Sequence, residues 1–427
     1  MGNVRPSIAL WLATLVALVC GAACGDADDK PSGEALPAAE ATPAAPARPA
    51  LTAADGAKLV EKLECNRCHA GTALLEPPET KQCFGCHVSI AAGKMPKAAD
   101  GSTPARDKKI VAGWKKNVEH LRFAPSLSGV GRIIDPSWVQ RYLVAPHDLR
   151  PGLHADMPRL PIGEPEAAAI AAHFAEQAQF DGEAAAGAPR GDAGRGRNLF
   201  TTKGCAGCHT FTGARTDPPP LVKPGDGPDR ALAPDLRFAR DRVIRARLVD
   251  WILDPRSIKP DAAMVKQNLS REEATDLAAF ILEAPLDEPP RAQTPSRLPV
   301  LDRAVTYDEV AERVLSKICW HCHAQPDVAR GDGGPGNTGG FGFEPRLVDL
   351  SSYASISGGF VDKDGTRKSL FSPSITGEPV LLAVLLERGK EARGTFGPLR
   401  GMPLGLPPLS AEDIQLVETW IAQGHPR

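Results

Sequence analysis

Four stretches of the chain set two cysteines and a histidine at one fixed spacing: Cys65, Cys68 and His69; Cys83, Cys86 and His87; Cys205, Cys208 and His209; Cys319, Cys322 and His323. Two thiols with two residues between them can add to the two vinyl groups on one edge of a haem. The histidine that follows brings its imidazole under the iron as proximal ligand. The pattern uses every cysteine except Cys20 and Cys24 near the start, and histidine follows every pair. The spacing therefore implies four covalently bound haem c groups, with His69, His87, His209 and His323 as proximal ligands.

Two other chemistries compete for these residues. Cys65/Cys68 with Cys83/Cys86 have nearly the spacing of a zinc ribbon, but the two later motifs stand singly and cannot close a four-ligand zinc site. Disulfides within each pair would make strained two-residue loops and would leave the recurring histidine unexplained.

The elements that must position these residues are helical. In a first unit, residues 51–180, Leu59, Val60 and Leu63 form a stripe just before Cys65. Later come Ala124-Pro125-Ser126-Leu127, a helical stretch from Trp138 to Val144, Asp156-Met157-Pro158, and an Ala-rich helix from about Pro165 to Ala178. Only thirteen residues separate His69 from Cys83, so two haems share this unit. A second unit, 196–283, repeats the pattern compactly, with Gly196 to Phe200 leading into Cys205, then Ala233-Pro234-Asp235-Leu236, Met264, and a helix whose Ser270/Glu273 pair is a capping box. A third unit, 304–427, opens on Thr306/Glu309 and the stripe Val310, Val314, Leu315, Ile318 into Cys319. It closes on Met402-Pro403 and a helix starting at Ser410. Between His323 and Met402 it carries a Gly-rich insertion, 331–343, in a stretch read as long and irregular.

The rest of the chain reads as delivery and spacing. Residues 1–23 look like an export signal: Arg5, an apolar run from Ile8 to Val19, and the small residues Gly21-Ala22-Ala23. Cys24 then stands where a bacterial lipoprotein carries its lipid, although Gly21 replaces the usual leucine; lipidation and plain cleavage after Ala23 both remain open. Residues 24–50 are Ala- and Pro-rich with few large apolar side chains, a tether that cannot bury enough surface to fold. Segments 181–195 and 284–303 read as linkers. The formal net charge of −2 gives no support for nucleic-acid binding, and no later segment reads as a membrane-spanning helix.

The repeated unit resembles the small helical cytochrome c family: a helix ending in Cys-x-x-Cys-His, a Pro-Leu segment, a Met-Pro loop, and a terminal helix that crosses the first. The likeness covers most of residues 51–427 outside the linkers. It implies an all-α fold of three tandem cytochrome c-like domains joined by Pro/Ala/Gly-rich linkers. It also implies that Met157, Met264 and Met402 bind iron opposite His69, His209 and His323. Unit two departs in having Val265 where the family has proline. His/Met ligation raises a haem's reduction potential.

The haem at Cys83/Cys86 has no such loop of its own, and its distal candidates are His120, Met95, His147 and His154, with His120 slightly favoured. His173, His321 and His425 are read as ordinary positions. The expected function is an exported tetrahaem electron relay between unidentified redox partners, free, lipid-anchored or as a subunit of a membrane oxidoreductase, on the periplasmic or outer face of a bacterial membrane. The alternative is a haem enzyme, peroxidase-like or nitrite-reducing, working at the second haem; that chemistry needs an exchangeable sixth position and an acid/base group over the iron.

Overall fold

The computed structural model describes residues 50–94, 112, 114, 115, 118, 122–153, 157–177, 190–215, 227–288, 296–324 and 346–427. All but Ala50 of the stretches read as leader (1–23) and tether (24–50), together with Met95, His120, His154 and the Gly-rich insertion, lie outside the described residues.

Helix α1, Ala53–Lys62, begins where Thr52 and Asp55 cap each other: the Thr52 N–H donates to the Asp55 carboxylate at 3.0 Å, and the Thr52 hydroxyl accepts the Asp55 N–H at 3.3 Å. Helix α2 is Cys83–Ala91. Helix α3, Pro136–Val144, has Asp135 as its cap and proline in its first turn, and α4, Glu164–Glu176, starts with the Gly163 N–H bonded to Glu166 at 3.1 Å. Helix α5, Ala193–Thr202, is capped by Asp192; α6 is Leu248–Leu253; α7, Arg271–Glu283, has the expected Ser270/Glu273 box. Helix α8, Tyr307–Val310, runs into a π-helical turn, Ala311–Leu315. The longest helices of the third region are α9, Val380–Glu391, and α10, Ala411–Ala422. The fold is mostly helical; β1, Phe360–Val361, and β2, Arg367–Lys368, pair antiparallel with Phe360 opposite Lys368.

Two helix crossings bring backbone against backbone. A Cβ on Gly56 of α1 would lie 2.0 Å from the Ala169 carbonyl oxygen of α4, and one on Gly196 of α5 would lie 2.0 Å from that of Asp276 in α7. No larger side chain fits at such a separation. Around the first crossing Val60, Leu63, Ile170 and Phe174 are buried together. The second is filled by Phe200, Phe211, Leu277 and Phe280, whose rings meet at tilted or edge-on angles. A third core joins Val310, Val314, Leu315, Leu416, Val417 and Trp420 across α8, the π turn and α10.

The first two units share a core. Ile133, Ile134, Trp138 and Leu149, all from the first unit, belong to the same core as Phe200 and Phe280 of the second. Ile134 pairs antiparallel with Val243, the Ile244 N–H donates to Ile133 O at 2.8 Å, and the Asp135 N–H donates to Arg242 O at 2.8 Å. Residues Ala50–Arg427 accordingly form one compact unit. The supposed linkers are also partly structured. Helix α5 starts at Ala193 because Asp192 accepts the Arg195 N–H. The Asp287 N–H bonds Gly213 O at 2.8 Å, and Arg297 pairs with Glu378 and Glu418. Much of the stretch read as irregular between His323 and Met402 is ordered: α9 buries Leu381, Leu382 and Leu385 on one side.

One buried carboxylate locks the second crossing. Arg195 Nε and Nη2 donate to Asp276 Oδ2 and Oδ1 at 2.7 and 3.1 Å, and the Asp192 N–H adds a bond at 2.7 Å. Arg195, then the Asp192 amide, hold the Asp276 carboxyl below its ordinary value of 3.8. A depressed folded-state pKa contributes stability that is present above the unfolded value and lost as pH falls through the folded one. Asp276→Asn is therefore expected to be less stable than the parent at neutral pH, with the gap closing below about pH 4. Urea melts from pH 7 to pH 2 check this, and a gap that stays constant would remove the ion pair as its source.

Candidate functional site

Three of the four motifs share one local structure. Cys65–Arg67, Cys205–Gly207 and Cys319–His321 are each a single 3-10 turn following the opening helix of their region. Residues three apart eclipse in such a turn, so both sulfurs face the same side. The histidine N–H closes the turn onto the first cysteine's carbonyl, at 2.9 Å for His69, 3.0 Å for His209 and 2.8 Å for His323. At the first two motifs the chain enters the turn through a left-handed residue, Glu64 at φ 51° and Gly204 at φ 78°. Glycine takes that conformation without cost, whereas Glu64 adopts it against the usual preference.

Each of these histidines is tied down from a distant segment. His69 Nδ1 lies 2.7 Å from Pro125 O, His209 Nδ1 lies 3.0 Å from Pro234 O, and His323 hydrogen-bonds the Val348 backbone. A carbonyl only accepts, so Nδ1 of His69 and of His209 must carry the proton, leaving Nε2 with its lone pair for iron. A second bond fastens each segment: Leu127, Leu236 and Leu350 N–H groups donate to the Ala70, Thr210 and His323 carbonyls at 2.8, 2.9 and 2.8 Å. Burial pulls all three imidazoles below their usual range, so they are neutral at pH 7. Burial also pushes the Cys65 thiol up to about 11 and raises that of Cys205. This donor set fits haem c: a neutral imidazole beside two thiols that no disulfide consumes, half-buried in every case but Cys322, which is exposed.

The second motif is built differently. Cys83, Cys86 and His87 lie in the first turns of α2 rather than after a helix, where spacings of three and four share one face. Its neighbours come from other motifs. Cys68 and Cys83 are hydrogen-bonded through their thiols, which drives Cys68 up and Cys83 down. The His87 ring lies 6.0 Å from that of His321, the variable residue inside the fourth motif. From the sequence His321 reads as an ordinary position; its place between the two cysteines of a motif is the only signal there.

The methionines divide. Met157 packs in the cluster that includes Cys65, and Met402 in the one that includes Cys319 and Trp320. Met264 is half-buried and joins neither. Its loop is tied to the first unit, where Ser126 Oγ donates to Asp261 at 2.5 Å and Arg132 Nη1 to Ile258 O at 3.5 Å. Of the distal candidates for the second haem, only His147 is described, and it sits among Trp138, Tyr142 and Phe238, with ring centroids 4.8 Å from Phe238 and 5.2 Å from Tyr142. Among the described residues no three His, Cys, Asp or Glu side chains gather as a metal site. No described helix is long and apolar enough to cross a membrane.

Val348, the backbone partner of His323, escaped the sequence reading because no proline marks it. Val348-Asp349-Leu350 nonetheless matches Pro234-Asp235-Leu236 in its last two residues, and that echo was legible.

Residues 193–285, from the first residue of α5 to just past α7, match the family model described as Cytochrome c. No curated protein and no solved structure matches the chain. A cytochrome c domain binds haem c covalently and transfers electrons, and the Cys205 to His209 motif with its Pro234 bond lies inside the matched region.

Proposed function

We propose, with a cytochrome c domain at residues 193–285 as premise, that the whole chain is an exported tetrahaem cytochrome c that relays electrons between redox proteins. The observation that carries this beyond the matched domain is the recurrence of one turn and one tethered imidazole at His69 and His323. The second haem rests on Cys83, Cys86 and His87 lying on one face of α2.

When bound, haem supplies one-electron chemistry at its iron. The chain's own part is to orient and to insulate. The Pro125 and Pro234 carbonyls fix the tautomer and rotation of His69 and His209 and make their Nε2 atoms better donors. The apolar clusters around Cys65, Cys205 and Cys319 keep water from the attachment edges. The Cys68–Cys83 and His87–His321 contacts support a path in which the first, second and fourth motifs are neighbours. Met157, Met264 and Met402 are the distal ligands of this reading, and export with a lipid on Cys24 would hold the protein at the outer face of a membrane.

The test is the mass of the mature protein from a host that attaches haem c, followed by exposure of the reduced form to carbon monoxide. Four added haems and an unchanged spectrum are expected. A mass equal to the bare polypeptide overturns the proposal, and carbon monoxide binding at one iron would replace relay by catalysis there.

A further inference from the structure

Two arginines cross between the surroundings of His69 and those of His209. Arg150 belongs to the first unit, yet its Nε donates to Leu232 O at 3.0 Å, two residues before the proline that holds His209. Beside it the Asp235 N–H donates to Leu149 O at 3.0 Å. Arg242 makes the reverse crossing: its carbonyl accepts the Asp135 N–H, and its guanidinium lies over the Trp138 ring at 5.5 Å.

Neither arginine forms an ion pair among the described residues, and the Arg242 Nε is buried with no hydrogen-bond acceptor. Nε2 of His147, packed against Trp138, is buried and unmatched as well. Burial, then the charge of Arg150, pull Arg242 down to about 9. Arg150 also acts on His69 and Arg242 on His209, so one cation stands near each imidazole. Asp148, beside Arg150, is exposed and accepts that residue's backbone N–H at 3.1 Å.

The internal repeat sharpens the contrast. Pro146, Leu149, Arg150 and Pro151 correspond at a constant offset to Pro255, Ile258, Lys259 and Pro260. Lys259 already has a carboxylate partner in Asp261, whereas Arg150, which feels the charge of exposed Asp148, makes no ion pair among the described residues. Both arginines are half-buried, and two neighbouring cations partly removed from water without an anion are unfavourable.

We infer that Arg150 and Arg242 form one carboxylate-binding site shared by the haem groups at His69 and His209, with a propionate from each drawn to the pair. The inference rests on the haem reading of those two motifs. Its consequence is electrical: either arginine stabilises the reduced state of both groups, so their potentials move together.

The test uses the full haem-loaded protein, redox-titrated optically, with four attached haems first verified by mass. Arg242→Gln is expected to shift two of the four components to lower potential, each by about tenfold in the equilibrium with a mediator of fixed potential. Arg150→Gln should move the same two, and Arg242→Lys should restore most of the shift. Movement of one component shows a private site, no movement shows no site, and dependence of the shift on added phosphate shows a solution anion; each overturns the inference. If a Gln variant fails to mature, the other carries the test. A parent protein without haem at these motifs would instead fail at the mass measurement, which separates the two readings.

Discussion

Gly196→Ala is expected to destabilise the packing of α5 on α7 by about 3 kcal/mol, because the added methyl meets a main-chain oxygen that cannot swing aside. The Cβ would stand 2.0 Å from Asp276 O and 2.8 Å from the Phe280 Cβ. Relief requires the helices to separate, which would open the buried Phe200, Phe211 and Phe280 cluster. Gly56→Ala should act alike on α1 and α4, where Ala169 O is equally close. Gly389→Ala is the control, since its nearest contact is Arg393 Nη1 at 3.6 Å; there alanine should stabilise α9 by about 0.5–1 kcal/mol. With several cores in one chain a single unfolding free energy is ill defined. Hydrogen exchange is the better measurement: amides of Arg271–Glu283 should exchange on the order of a hundredfold faster in Gly196→Ala. Unchanged protection would mean that the helices do not touch there.

Met402→Leu is expected to lower the potential of the fourth-motif haem by on the order of 100 mV, within the ~0.8 V span that axial ligands command. Its iron would also become open to cyanide. Leucine conserves volume, so the stability cost should stay below about 1.5 kcal/mol. That separation is the point, because Met402 also packs in the core with Cys319 and Trp320 and could merely fill space. Met157→Leu makes the same test at the first motif, where Cys65 is the neighbour. An unchanged potential and spectrum in either variant would reduce that methionine to core packing.

The motif and its turn were legible because they are local. A thiol–thiol–imidazole spacing is a property of five consecutive residues, and the 3-10 turn that presents it needs only those residues and the end of a helix. Helix starts at Ser270, Thr306 and Ser410 were readable for the same reason, since a side chain caps an amide three residues on. The reading failed where a signal was expected to be a familiar residue: Val348 holds His323 without a proline, and α9 was hidden in a stretch judged by its glycines.

By itself, then, the order of residues determined that four Cys-x-x-Cys-His motifs exist, that helices surround most of them, and which carbonyl-bearing Pro-Leu segments accompany two. Only the tertiary structure decided which motifs are neighbours. Cys68 against Cys83, His87 against His321, and Arg150 reaching Leu232 while Arg242 covers Trp138 are meetings of side chains that packing alone brings together. The physical reason is range: a turn or a cap is settled within one helical turn, whereas the Ile134–Val243 pairing depends on two distant surfaces being apolar and complementary at once.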